Sequence, residues 1–322
     1  MSEVLLKVID LKKYFKTPKG MLRAVDGVSF TIEKGKTLGI VGESGCGKST
    51  TGRSILRLTE PTSGQVIFDG KDILKLSKKE MVAMRKEMQI IFQDPFSSLD
   101  PKMTVSQLIK EPLVIHKIYT NNEDIEKRIR ELMELVGLTP RLYDSYPHEL
   151  DGGRRQRIGI ARALAVNPKF IVCDEPVSAL DVSIQAQILN LLKELQEKLD
   201  LTYIFVTHDL SVVYYFADDI AVMYLGKLVE KAPAEELFAN PKHPYTQALL
   251  SAIPSVDIRK KKERIILKGE ITSPINLPDY CRFANRCSYC QQDCKNGDPK
   301  LVEISPNHFV ACFHPLGKEG IL

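Results

Sequence analysis

The chain has 322 residues, room for one large domain and a smaller appended one. With 45 Lys and Arg against 41 Asp and Glu the net charge is only +4, and 43% hydrophobic with 27% charged is the composition of a folded protein. That balance excludes a disordered chain and offers no electrostatic footprint for nucleic acid.

At the N-terminus Lys7, Asp10, Lys12 and Lys13 interrupt the apolar residues. No apolar run anywhere approaches the roughly 20 residues of a spanning helix, so neither a secretion signal nor a membrane span is expected. The first predicted strand, TLGIV (37–41), runs directly into Gly42-Glu43-Ser44-Gly45-Cys46-Gly47-Lys48-Ser49, a match to GxxxxGK[ST] in the context that motif requires. Glycines let backbone N–H groups converge on phosphate oxygens, and the following helix presents its positive end to the anion. Lys48 can reach β- and γ-phosphates, and the Ser49 hydroxyl can ligate Mg²⁺. Gly42, Ser44, Gly45, Cys46, Gly47, Lys48, Ser49 and Thr50 are therefore the candidate nucleotide-phosphate-binding residues.

Three more short β-branched runs follow: MQIIFQ (88–93), FIVC (170–173) and YIFVT (203–207). Spaced by helical stretches, they predict buried, largely parallel strands of an α/β domain. Gln93 closes the first and could orient water or Mg²⁺. The second ends in Asp174 and Glu175, placed to hold Mg²⁺ and to act as general base. His208 follows the third, at the strand edge where α/β sheets bind ligands, and is a candidate γ-phosphate contact. Ile184, Ile188, Leu191, Leu192, Leu195 and Leu199 mark an amphipathic core helix between the last two strands.

From about residue 233 the text changes to proline-punctuated segments, so 1–232 is expected to form the nucleotide-binding domain and 233–322 an extension. The basic run Arg259, Lys260, Lys261, Lys262 and Arg264 is expected to be solvated surface. Cys281, Cys287, Cys290, Cys294 and Cys312 follow it as C-x5-C-x2-C-x3-C-x17-C. Thiolates grouped so densely favour zinc or an iron–sulfur cluster over disulfides.

The order of these motifs resembles the ATP-binding subunits of ABC transporters. A signature-like Leu150-Asp151-Gly152-Gly153-Arg154 precedes the helix RQRIGIARAL, and Ser178-Ala179-Leu180-Asp181 matches the D-loop. The resemblance implies a P-loop NTPase fold: a RecA-like α/β core, an antiparallel β subdomain, a helical signature subdomain and here a small Cys-rich C-terminal extension. It also implies an adenine-stacking aromatic, Phe15 or else Tyr14, and ATP held between two head-to-tail domains, with Asp151 to Arg154 facing the partner's nucleotide.

Gln93-Asp94-Pro95-Phe96-Ser97-Ser98-Leu99-Asp100-Pro101, the segment HPYTQALL (243–250) and ILKGEITSPIN (266–276) are similar to the oligopeptide and dipeptide (or nickel) importer branch. That branch implies a sister ATPase subunit, two membrane permeases, an external peptide-binding protein and a peripheral place on the cytoplasmic face of the membrane. It also implies a [4Fe–4S] cluster on Cys281, Cys287, Cys294 and Cys312, with zinc the alternative and Cys290 extra. A soluble ABC ATPase outside transport is the rival reading.

One departure stands out: the family signature reads LSGGQ, and Asp151 and Arg154 replace its Ser and Gln. A carboxylate about 4 Å from a phosphate charge meets roughly 4 kcal/mol of repulsion at an effective dielectric near 20. Arg154 would offset part of it, and an Asp151 turned onto backbone amides, as a helix N-cap, would avoid much of it.

Overall fold

The computed structural model describes residues 3–253, 264–267, 269 and 274–317. Arg259, Lys260, Lys261 and Lys262 of the basic run, and Lys268 with residues 270–273 of ILKGEITSPIN, lie outside the described residues.

The strands in chain order are β1 (Val4–Thr17), β2 (Gly20–Glu33), β3 (Thr37–Val41), β4 (Ser63–Phe68), β5 (Lys71–Asp72), β6 (Met88–Ile91), β7 (Phe170–Asp174), β8 (Thr202–Val206), β9 (Asp219–Tyr224), β10 (Lys227–Pro233), β11 (Val302–Ser305) and β12 (His308–Val310). The helices are α1 (Lys48–Ile55), α2 (Lys78–Met84), α3 (Val105–Ile115), α4 (Asn122–Leu135), α5 (Gly152–Leu164), α6 (Val182–Leu199), α7 (Leu210–Phe216), α8 (Ala234–Ala239) and α9 (Pro244–Ser251). They fall into two compact units, one of residues 1–5, 33–36 and 69–206, the other of 6–32, 37–68 and 207–322.

In the first unit β6, β7 and β8 run parallel, with Met88 opposite Phe170 and Phe170 opposite Thr202. Every residue of β7 and β8 is buried, as expected of parallel strands covered on both faces. β6 ends at Ile91, two residues short of the predicted run, because Gln93 leaves the ladder and turns its amide toward Glu175. Helices α3, α4 and α5 pack on one another, and α6 is the predicted amphipathic helix, with Ile188, Leu191, Leu192 and Leu195 buried.

In the second unit β3 lies parallel to β9, and β9, β10, β12 and β11 continue antiparallel. Gly39 admits α7: a Cβ there would come within 2.0 Å of Val213 Cγ2. A separate antiparallel layer pairs β1 with β4, Leu6 opposite Phe68. The core beneath β9 and β10 is aromatic: Tyr224, Tyr245 and Phe283 stand with ring centroids 4.7 to 5.4 Å apart. Residues on both sides of 233 share this core, Val222 and Tyr224 with Leu237, Tyr245, Leu277 and Phe283.

Candidate functional site

Strand β3 is buried throughout and delivers the chain to a loop in which Gly42, Gly45 and Gly47 all take positive φ, 149°, 77° and 108°. Side chains are excluded there as well as strained: a Cβ on Gly42 would lie 2.2 Å from the Met223 carbonyl, and one on Gly47 2.1 Å from that of Ala24. Lys48, buried, folds back and donates to the carbonyls of Gly42 (2.9 Å) and Glu43 (3.2 Å), so its ammonium is wrapped by the loop. Ser44 and Gly45 are exposed at the tip, and Ser49 and Thr50 open α1 half-buried. Cys46 is buried, which pushes its thiol pKa up, and its carbonyl accepts the Gly226 N–H at 2.8 Å.

The two candidate aromatics separate. Tyr14 donates its hydroxyl to Asp26, whose carboxylate also takes the Arg282 guanidinium. Burial, together with that bond to a carboxylate, raises the Tyr14 hydroxyl to about 12. Phe15 keeps a half-buried ring, with the Lys13 ammonium 4.7 Å from its centroid. In the same unit the Thr207 N–H donates to Ile40 O (3.1 Å), so the exposed His208 emerges beside the strand that feeds the phosphate loop.

In the other unit Asp174 closes β7 fully buried, and Glu175 turns the backbone sharply at φ 47°. Non-glycine residues rarely hold that conformation, and the Glu175 N–H to Val206 O bond (3.0 Å) fixes it. Gln93 Nε2 donates to Glu175 Oε2 at 2.9 Å, which brings two of the three candidate catalytic residues into contact.

Asp151 is the N-cap of α5: its Oδ1 accepts the Arg154 N–H at 2.7 Å, and Oδ2 lies 3.4 Å from the Arg154 guanidinium. Of the arrangements open to this aspartate, the turned, capping one is present. Gly152 and Gly153 sit against the D-loop and α6, where Cβ atoms would come within 3.0 Å of Leu180 Cδ2 and 2.7 Å of Ile184 Cγ2. The D-loop between them and α6 is held from behind by Gln185 Nε2, which donates to Val177 O and Leu180 O at 3.0 Å each. Asp181 sits at the N-cap of α6 without a side-chain capping bond.

Cys281, Cys287, Cys294 and Cys312 line one small pocket with Phe283, Ala284 and Tyr289. Cys290 stands outside that lining and its Sγ lies 3.5 Å from the Gln291 carbonyl. Burial pushes the Cys281 thiol up to about 11 and the Cys312 thiol up to about 12, and the neighbouring cysteines add to both rises. Four thiols so placed repel one another as thiolates, so a bound cation would favour their ionised form. Ligand atoms of Asp293, Cys294 and His314 also lie within 4.8 Å of one another.

Sequence reasoning missed the contacts made by Arg282, Arg286 and Tyr245. Arg286 forms a fork on Glu43, at 2.7 and 3.0 Å, and the Tyr245 hydroxyl accepts the Glu43 N–H at 2.9 Å. The available signals were the arginines set just inside Cys281 and Cys287, and Tyr245 within HPYTQALL.

Two family models match the chain: ABC transporter over residues 25–178, and oligopeptide/dipeptide transporter, C-terminal region, over 229–294. The oligopeptide transport ATP-binding protein AppF of Bacillus subtilis is 53% identical over 321 residues, covering 97% of each chain. The oligopeptide transport ATP-binding protein OppF of the same organism is 52% identical over 316 residues, again covering 97% of each. Among solved structures, cbiO1 of Clostridium perfringens, part of an ABC transporter complex, superposes with a TM-score of 0.66 at 31% identity, covering 74% of this chain and 91% of that one. A dimeric ATP-binding cassette, MJ0796, in a post-hydrolysis state with ADP and Pi, matches with the same TM-score and identity, covering 71% of this chain and 99% of that one.

Proposed function

This chain belongs to the oligopeptide branch of the ABC transporter ATP-binding family, an ATPase that energises peptide import, and on that premise we propose which residues do the work. The observation that carries the proposal is the phosphate loop, three glycines at positive φ wrapped around a buried lysine.

Lys48 binds the β- and γ-phosphates, and the Ser49 hydroxyl, Asp174 and Gln93 hold Mg²⁺, which supplies charge neutralisation on the phosphates. Glu175 accepts a proton from the attacking water while Gln93 orients that water, and His208 contacts the γ-phosphate. Phe15 stacks on adenine with its half-buried ring, while the Tyr14 side chain is tied through its hydroxyl to Asp26. Asp151, Gly152, Gly153 and Arg154 face the partner's nucleotide, and Asp181 of the D-loop lies at the same interface. Residues 1–232 form the ATP-binding domain, with the helices α3 to α5 as its signature subdomain, and 233–322 the extension.

Dimerisation and membrane permeases come with the family; a sister subunit of different sequence, two permeases and an external peptide-binding protein are the partners we propose. No helix among the described residues is long and apolar enough to cross a membrane, which suits a peripheral place on the cytoplasmic face. The thiol pocket holds a [4Fe–4S] cluster on Cys281, Cys287, Cys294 and Cys312. Zinc is the second reading, favoured by the Asp293, Cys294 and His314 group.

Lys48→Ala should weaken nucleotide binding, whereas Glu175→Gln should keep binding and stop turnover. Binding and steady-state hydrolysis of Mg-ATP in membranes carrying the assembled transporter measure both. Normal hydrolysis by the Glu175→Gln complex would remove Glu175 from the base role.

A further inference from the structure

The segment Cys281-Arg282-Phe283-Ala284-Asn285-Arg286-Cys287 places an arginine just inside each of two pocket cysteines, and both arginines point away from the thiols. Arg286, its side chain 8% exposed, forks onto Glu43, the second residue of the phosphate loop, and reaches the Tyr224 hydroxyl at 3.4 Å. The Glu43 N–H is held in turn by the Tyr245 hydroxyl at 2.9 Å. Arg282, 5% exposed, donates to the Leu225 carbonyl and to Asp26, the acceptor of the Tyr14 hydroxyl. One residue further on, the Gly226 N–H holds the Cys46 carbonyl of the loop at 2.8 Å.

The Arg286 fork is bidentate and Arg282 is held by two acceptors, the Leu225 carbonyl and Asp26, so neither guanidinium has much positional slack. Movement of either cysteine is therefore delivered to a fixed address, Arg286 to the phosphate loop and Arg282 to Asp26 of β2, which in turn takes the Tyr14 hydroxyl of β1 beside Phe15.

Resting on the ATP-site reading above, we propose that Arg282 and Arg286 are positioning residues of the nucleotide site. They make the loop 281–287 a strut, so that the state of the thiol pocket sets nucleotide affinity. Neither arginine touches the nucleotide; each acts through the acid that it holds.

The test titrates purified full-length chain with Mg²⁺ and a fluorescent ADP analogue, and records the thermal midpoint of every variant. Arg286→Met should weaken binding about tenfold, the equivalent of one charge-assisted hydrogen bond, with Arg286→Lys intermediate. Glu43→Gln, at a half-buried loop position, keeps an acceptor and the Tyr245 contact, so it tests the same link should the thermal midpoint show Arg286→Met unfolded; it too should bind several-fold more weakly. Replacing Cys281 and Cys287 together by Ser should lower affinity in the parent chain and add nothing in an Arg282→Met, Arg286→Met background. Affinity unchanged in both Arg286→Met and Glu43→Gln, beside a Lys48→Ala control that loses it, overturns the strut alone. Additive effects of the cysteine and arginine changes overturn it as well. A Lys48→Ala chain that binds like the parent overturns the ATP-site reading and the strut with it.

Discussion

At the scale of single residues, Asp26 takes two partners at once, the Tyr14 hydroxyl and the Arg282 guanidinium. Burial alone would raise its carboxyl, but the Tyr14 hydrogen bond and the Arg282 charge more than reverse that and hold it below the ordinary carboxylate range. Its contribution to stability is present above about pH 4 and is lost as pH falls through the lowered value. Tyr14 has the opposite sign: raised to about 12, it stabilises fully below about pH 10, the ordinary tyrosine value, and the contribution disappears as pH rises through 12. Between those two values the parent chain should lose stability that a Tyr14→Phe chain never had, so their unfolding midpoints in urea should converge. Parallel curves would mean that the hydroxyl is not coupled to folding. Asp151 makes a second case at this scale. Asp151→Ala removes the cap of α5 and should cost about 1 kcal/mol in the same measurement, whereas Asp151→Ser keeps a capping oxygen and should cost a few tenths. The Arg154 pair adds little to either figure, because both side chains are about half exposed.

At the scale of elements, the thiol pocket has an internal control. Anaerobically purified protein should be brown, with iron and acid-labile sulfide near four per chain for a [4Fe–4S] centre. Cys290→Ser should keep that colour, since Cys290 does not line the pocket, and Cys287→Ser should abolish it. Stoichiometric zinc without sulfide would decide for the alternative. The phosphate loop and the Asp174-Glu175 strand end could be read from the sequence, because each is a short run in which chemistry fixes both residue type and spacing, whereas four of the five clustered cysteines were singled out only by the family resemblance. TLGIV matches β3 end to end, since a fully buried parallel strand is a continuous apolar run. β11 and β12 could not be read: VEIS is mostly exposed and HFV is three residues long, and both exist by pairing onto β10 rather than by pattern. The arginine fork on Glu43 was hidden for a related reason. Its partners lie 243 positions apart, and nothing local in either segment specifies the other.

At the scale of the whole molecule, the charge on Asp151 bears on the assembled transporter. The carboxylate is turned onto α5 and faces Arg154, so the roughly 4 kcal/mol of bare repulsion at about 4 Å is not the quantity that a partner's nucleotide meets. Arg154→Gln should uncover that charge and slow hydrolysis at the site using this signature by a few-fold, since a half-exposed pair is worth at most about 1 kcal/mol. Adding Asp151→Ser to Arg154→Gln should restore the rate, since it removes the charge that the arginine had screened. A transporter indifferent to Arg154→Gln would show that this position does not face nucleotide. The composition of the phosphate-loop unit, residues 6–32 and 37–68 together with 207–322, has a further consequence during synthesis. The loop at 42–49 leaves the ribosome early, but β9 beside β3, Tyr245, Arg286 and the β12 strand that covers β10 emerge only with the last third of the chain. A nascent chain therefore carries the motif without the partners that hold it. It should gain nucleotide affinity only once those segments have emerged, with an open sheet edge exposed to chaperones until then.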